Sequence, residues 1–264
     1  MKILNFLFSR SKQEQDKPIR DKLKTRKDFE RVLAEDLDIM ETTKARMDTA
    51  KNINLYMYRS LSYSYILILQ SKYSVDAKID ELRDIYIKSM YYFLQAFNKR
   101  NPIYADILNY VSLGVLLNIP DNNFRQLIDY VKQMDKQAKP SGWTPDLLLW
   151  FMLNSRMKEQ EKQKYAETLA YPRLYNGLYK VIQAPNAAAA KDTLNKYLDR
   201  WYNLNSNAPW YNSHLKENSY RGYWAWEVAA VAKIMHIDDS DLKNNQYYPY
   251  DMVHWADNET TAKE

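Results

Sequence analysis

Apolar residues recur at helical spacing along most of this chain. Phe29, Val32, Leu33, Leu37, Met40 and Met47 step by three and four with acids and lysines between them, the stripe that an amphipathic helix turns toward a core. Ile53, Tyr56, Met57, Leu61, Tyr65 and Ile68 predict a second helix; the alternation across residues 60–65 alone would suit a strand, but its flanks keep the helical period. A third segment starts at Asp76 and carries Ile79, Leu82, Ile85, Tyr86, Met90, Phe93, Leu94 and Phe97 to a stop at Asn101-Pro102. Pro102 opens a strongly apolar fourth helix with Tyr104, Ile107, Leu108, Val111, Val115 and Leu116, since a proline at a helix start gives up an N–H that has no partner there anyway. Asn118-Ile119-Pro120 ends it, and Asp121-Asn122-Asn123 supplies capping oxygens for a fifth helix with Phe124, Leu127, Ile128 and Val131.

Residues 139–145, Lys-Pro-Ser-Gly-Trp-Thr-Pro, break the pattern and mark a domain boundary. Beyond it, Leu147 to Leu153 predicts a short buried helix, Lys158 to Lys164 a charged turn, Leu169 to Val181 a helix with Pro172 near its start, and Ala187 to Trp201 another. From Tyr223 to Met235 the chain is apolar on nearly every side, as a helix buried on most faces must be. The acidic turn Asp238-Asp239-Ser240-Asp241 then caps a short helix at Leu242, and Pro249 begins a last helix with Met252, Val253 and Trp255. Val111 to Phe124 and Val228 to Leu242 share a layout, apolar helix followed by a polar turn around an isoleucine, which two tightly connected helical hairpins would also produce. The expected fold is all-α: about ten helices in a compact helical-hairpin array, as two subdomains sharing an interface. The expected divisions are a flexible or partly ordered basic lead-in over 1–26, helical domains over 27–139 and 140–257, and a tail over 258–264.

Composition sharpens this picture. Four glycines against nine prolines in 264 residues fit helices with short connections better than a turn-rich β fold. Cysteine is absent, which excludes disulfides and thiol catalysis and is compatible with a reducing cytoplasm. The apolar run Ile3 to Phe8 is too short for a membrane span, and reads either as a weak interfacial anchor or as a tether against the protein's own surface. Net charge is +5 but unevenly placed: +6 over residues 1–140, −1 over 141–264, and −5 from His236 onward. The basic half admits a second reading of the chain as a nucleic-acid or membrane-surface adaptor, although Lys-rich solvated helix faces also account for it.

Chemistry-bearing residues are sparse. Glu227 sits inside the apolar helix, where an ionised carboxylate needs a partner. Tyr hydroxyls, a Trp N–H or Arg221 would fix it as a packing residue; alternatively it lines a pocket that receives a partner's Lys or Arg. His214, His236 and His254 lie near the acidic turn, but no spacing places two of them as ligands on one helical face, so no metal or other cofactor is expected. No Gly-rich phosphate loop, nucleophile elbow or thiol is present, and the sequence makes no positive case for an enzyme. The 23 Tyr and 7 Trp suit core edges and protein-binding anchors better than stacking on nucleic acid beside so acidic a turn.

Gly222-Tyr223-Trp224, Glu227, the Ala-rich helix, Asp238-Asp239 with Leu242, and Tyr247-Tyr248-Pro249 with Asp251 together resemble the C-terminal signature of the PoNi family, the immunity proteins of polymorphic nuclease effectors. Tyr197 to Tyr202 and Trp210 to His214 are similar to the same half of the family, and Arg26-Lys27-Asp28-Phe29 to its N-terminal half, so the resemblance spans roughly residues 20 to 257. It implies a helical immunity protein of interbacterial competition. Such a protein binds a cognate secretion-system effector, a DNase toxin, in the cytoplasm and blocks its active or DNA-binding site without catalysis, cofactor or direct contact with nucleic acid. Mimicry of the substrate's charge would use Glu217, Asp238, Asp239, Asp241 and Asp251, with Tyr220, Trp224, Tyr247 and Tyr248 as anchors and Glu227 at a pocket wall. Each signature residue also has a structural reading, and a pI near 9.0 is unexpected in an inhibitor of a DNA-binding protein. Monomer and homodimer both remain open.

Overall fold

The computed structural model describes residues 18–97, 103–136 and 143–261. The Ile3 to Phe8 run, the Asn101-Pro102 stop and most of the 139–145 boundary lie outside the described residues. Within them the chain forms ten α-helices: α1 (Arg26–Thr49), α2 (Leu55–Ser74), α3 (Ile79–Phe97), α4 (Tyr104–Leu116), α5 (Asp121–Lys136), α6 (Leu147–Asn154), α7 (Pro172–Ile182), α8 (Ala187–Leu204), α9 (Trp226–Met235) and α10 (Tyr250–Thr261). Among the described residues there is no strand; Asp146 and Thr168 form an isolated bridge.

Short polar side chains set the helix starts by accepting amide protons that have no partner within the helix. Thr25 and Asp28 make a reciprocal capping box at α1. Asn54 caps Met57 N at 3.0 Å, Asp146 caps Leu149 N at 2.7 Å, and Asn186 caps Ala189 N at 2.9 Å. The charged run after α6 forms a short 3-10 turn, Glu159–Glu161. Three elements begin later than the sequence suggests. α3 starts at Ile79, because the chain turns at Asp76, whose φ is 86°. α7 starts at Pro172 itself, where the ring fixes the first helical turn. α9 starts at Trp226 because the preceding residues turn at Gly222, whose φ of 107° a side chain would resist, and Ala225 N–H bonds to Tyr247 O at 2.9 Å.

Contacts group the chain into two units, one made of the chain up to Asn98 with Asn212–Tyr223, the other of Lys99–Tyr211 with Trp224 onward. This grouping does not follow residue 139: α4 and α5 precede that point yet fall in the second unit. In the first unit α2 packs against both α1 and α3, around Leu33, Met40, Leu61, Tyr65 and Ile68. Burying a leucine or isoleucine of this kind contributes about 1.5 to 3 kcal/mol. The described end of the lead-in is tied down here: Arg20 donates to Tyr73 O at 3.0 Å and Ala77 O at 2.9 Å, filling carbonyls at the end of α2.

The second unit is built around α9. Every residue from Trp226 to Ala232 is buried, and the helix packs on α4, α6, α7, α8 and α10. Its alanines let the neighbouring backbones close in from several sides at once. The shared layout of residues 111–124 and 228–242 has a physical basis, since α4 and α9 end in the same way. Asn118 and His236 adopt left-handed φ of 42° and 52°, and the N–H of the following isoleucine reaches back to Gly114 O (3.3 Å) or Ala232 O (3.0 Å). Both isoleucines are buried, so each stop is sealed by an apolar contact as well as by a hydrogen bond.

Candidate functional site

Glu227, in the first turn of α9, is buried and accepts a hydrogen bond from Trp201 Nε1 on α8 at 2.7 Å. The partner is therefore a Trp N–H; Arg221 is engaged elsewhere. Burial pushes the Glu227 carboxyl above its usual pKa, and the Trp201 bond opposes that rise. Tyr175 and Tyr197, both buried, have hydroxyls driven upward mainly by burial and further by the carboxylate of Glu227. The surroundings are those of a packing residue, and the carboxylate reaches no surface.

The acidic turn splits by residue. Asp238 and Asp241 are exposed and share one cation, Lys191 Nζ, at 2.8 and 3.3 Å. Asn195 Nδ2, one helical turn further along α8, donates to Asp241 at 2.9 Å. The Lys191 hydrogen bond holds the Asp238 carboxyl below its ordinary pKa. Asp238 also accepts from Ser240 N at 3.1 Å, a side-chain turn two residues long, while the N-cap of the short 3-10 helix Ser240–Leu242, Asp239, makes no side-chain capping bond. Asp239 points inward: it is buried, accepts from Tyr248 OH at 2.6 Å, and lies 2.8 Å from His254 Nε2. Burial and then this carboxylate push the Tyr248 hydroxyl upward.

The remaining candidates divide between surface and interior. In the first unit Glu217 is exposed, and Arg31 reaches both its carboxylate at 3.4 Å and its carbonyl at 2.8 Å. Tyr220 is buried; its hydroxyl donates to Asp21, and its ring contacts Phe29 and Tyr223. In the second unit Trp224 is buried beside Trp226. Tyr247 and Asp251 are half-buried. Of the residues named as contacts, Tyr220, Trp224, Glu227, Asp239 and Tyr248 thus occupy the interior, where their apolar area and hydrogen bonds already serve the fold. Glu217, Asp238, Asp241, Tyr247 and Asp251 keep exposed surface. Among the described residues no group of three or more His, Cys, Asp or Glu is placed to hold a metal ion, and no helix is long and apolar enough to cross a membrane.

Two family models match the chain: that of the N-terminal part of the PoNe immunity proteins (PoNi) over residues 11–129, and that of their C-terminal part over residues 144–252. The chain belongs to the PoNi family. Among solved structures it is similar to protein PA2201 from Pseudomonas aeruginosa, with a TM-score of 0.70 at 18% identity over 97% of this chain and 95% of that one. That likeness is one of fold. No curated protein matches.

For a PoNi protein, whose family description names a partner, surface groups matter more than buried ones, and two groups escaped the sequence reading. The first is an aromatic cluster on the second unit: Tyr202 stacks on Tyr247 with ring centroids 5.3 Å apart and on Tyr211 at 4.5 Å, and Trp210 stacks on Trp201 at 5.4 Å. The second is a groove of about 420 Å³ between α7 and α8, lined by Arg173, Lys180, Lys196 and Arg200 and by no carboxylate. Its signal was present in the sequence as cations seven apart on α7 and four apart on α8.

Proposed function

We propose that this PoNi family member binds a cognate secreted antibacterial DNase toxin in the cytoplasm of the producing cell and neutralises it by covering its active or DNA-binding site. The observation that carries the reading is the match of both family models, which together run from residue 11 to residue 252. Inhibition of this kind needs only a stable surface. Buried nodes such as Asp36–Arg221 and Trp201–Glu227 hold the helices that would present it, while the toxin meets exposed groups. Within the acidic turn those are Asp238 and Asp241, and they share their charge with Lys191. Mimicry of the DNA backbone by this turn is consequently weaker than its sequence suggests.

The test is co-expression with the toxin encoded beside its gene. Growth should be restored by the full chain, and the purified pair should co-elute with nuclease activity suppressed in proportion to complex formed. Killing that proceeds at the same rate with and without the chain would refute the proposal.

A further inference from the structure

The groove between α7 and α8 carries four cations and no carboxylate among its lining residues. Arg173 and Lys180 stand seven residues apart on α7, about 10 Å at 1.5 Å per residue, and face Lys196 and Arg200 on α8. All four side chains are exposed. Lys196 has a partner in Asp192 at 2.6 Å, whereas among the described residues Arg173, Lys180 and Arg200 make no ion pair. The floor is already satisfied. Tyr197 is buried, with its hydroxyl donating to Leu174 O at 3.0 Å, and Thr193 donates to Ala189 O at 2.7 Å. Gly177 completes the floor: a Cβ there would come within 2.6 Å of the Tyr197 ring, so the lack of a side chain lets the two helices close at the base.

Helix α8 keeps its cations on two separate jobs. Lys191, with Asn195, neutralises the turn at Asp238 and Asp241. Lys196 and Arg200, one residue further round, line the groove. Of the groove's four cations only Lys196 has a carboxylate partner, and the charge of Arg173, Lys180 and Arg200 is left without a counterpart among the described residues.

We propose that this groove is a docking site for an acidic segment of the partner toxin, anchored by Arg173, Lys180 and Arg200. The proposal rests on the immunity reading above and gives it a direction, in that the chain meets carboxylates on its partner as well as, or in place of, the basic surface that DNA would use. The spacing selects the occupant. Cations spread over about 10 Å exceed the reach of a single phosphate or carboxylate and match a helix or extended segment carrying acids at successive turns. Guanidinium groups suit this role because two N–H donors meet the two oxygens of a carboxylate at once. Nucleic acid fits less well: the lining's one aromatic, Tyr197, is buried, and stacking is what single strands ordinarily use.

The test compares wild-type full chain with the combined variant Arg173→Glu, Lys180→Glu, Arg200→Glu and with Arg173→Lys, Arg200→Lys, using the toxin's nuclease domain as probe in titrations at low and moderate salt. Thermal unfolding verifies that the exposed substitutions leave the fold intact. Charge reversal should weaken binding by about 10- to 100-fold at low salt and flatten the salt dependence, and the lysine variant should lose only a few-fold. Wild-type binding with no change in the reversed variant would overturn the groove and leave the immunity reading standing. Absence of binding by the wild type would overturn both. A parallel titration with a labelled DNA strand gives the remaining outcome: DNA binding abolished by the same substitutions while toxin binding persists would assign the groove to nucleic acid and sink the proposal.

Discussion

Asp36 in the first unit and Glu227 in the second are both carboxylates closed off from water, and the chain holds them by different means. Arg221 donates to Asp36 from Nε at 2.6 Å and from Nη2 at 2.8 Å, and Ser74 Oγ fastens the Arg221 carbonyl at 2.9 Å. Glu227 receives a neutral donor, Trp201 Nε1. Burial raises the pKa of each, but only for Asp36 does a cation work against the rise. The difference separates two uses of buried acid. The Asp36 charge is compensated, and the pair ties the Asn212–Tyr223 segment to α1. For Glu227 what matters is an oxygen at the right place, and its charge is a cost that the fold bears.

The comparison breaks most sharply at Arg221. Replacing it by Ala strands the Asp36 charge in the interior and should destabilise the protein by about 3 to 5 kcal/mol, seen as a fall in the denaturant midpoint. Adding Asp36→Asn to Arg221→Ala removes the stranded charge and should recover part of the loss. If the single variant loses less than about 1 kcal/mol, the pair is not what secures the segment.

Glu227 should respond in the opposite manner. Glu227→Gln keeps an oxygen for Trp201 and removes the charge, and it should leave stability near neutral pH unchanged or raised. Glu227→Leu abandons Trp201 Nε1 in the interior and should cost about 1 to 3 kcal/mol. The pH dependence sharpens the point. Because the folded pKa of Glu227 lies above the usual 4.5, its contribution to stability is full below that value and is lost as pH rises through the folded value. Wild-type stability should decline over that window, and the Gln variant should show a flatter profile. Identical profiles would mean that Glu227 is not ionised by burial-dependent titration in this range.

Most of the fold was legible because helices are local. Stripes at three and four residues, prolines at first turns and acids or asparagines at caps gave all ten helices, with starts displaced where a turn intervenes, as at Asp76 with its positive φ, at Pro172, and at Ala225 bonded to Tyr247. The signature Tyr220 to Trp255 was legible as a core and as a family mark. Its contact chemistry was not. Nothing in the sequence places Lys191 against Asp238, 47 residues away, or turns Asp239 inward while its neighbours on either side face water. Aromatic density identified Trp224 and Tyr248 as anchors without revealing that the fold itself had already buried them. The cations of the α7–α8 groove lay on polar faces that periodicity treats as background.

The smallest effect is expected at the acidic turn, and it decides between two electrostatic schemes. Asp238 and Asp241 are solvent-exposed and bound to a single lysine, the kind of surface pair that salt screens and that contributes little to folding. Asp238→Asn with Asp241→Asn should therefore leave the unfolding temperature unchanged within measurement error. If the toxin were recognised by DNA mimicry, removing these charges would weaken binding by about tenfold or more at low salt. If the groove cations do the anchoring, affinity should shift by less than about threefold, because Lys191 is released on a different face of α8 from Lys196 and Arg200. A large loss in this variant with no loss in the groove variant would restore the acidic turn as the contact surface and reverse the sign of the charge that this protein offers its partner.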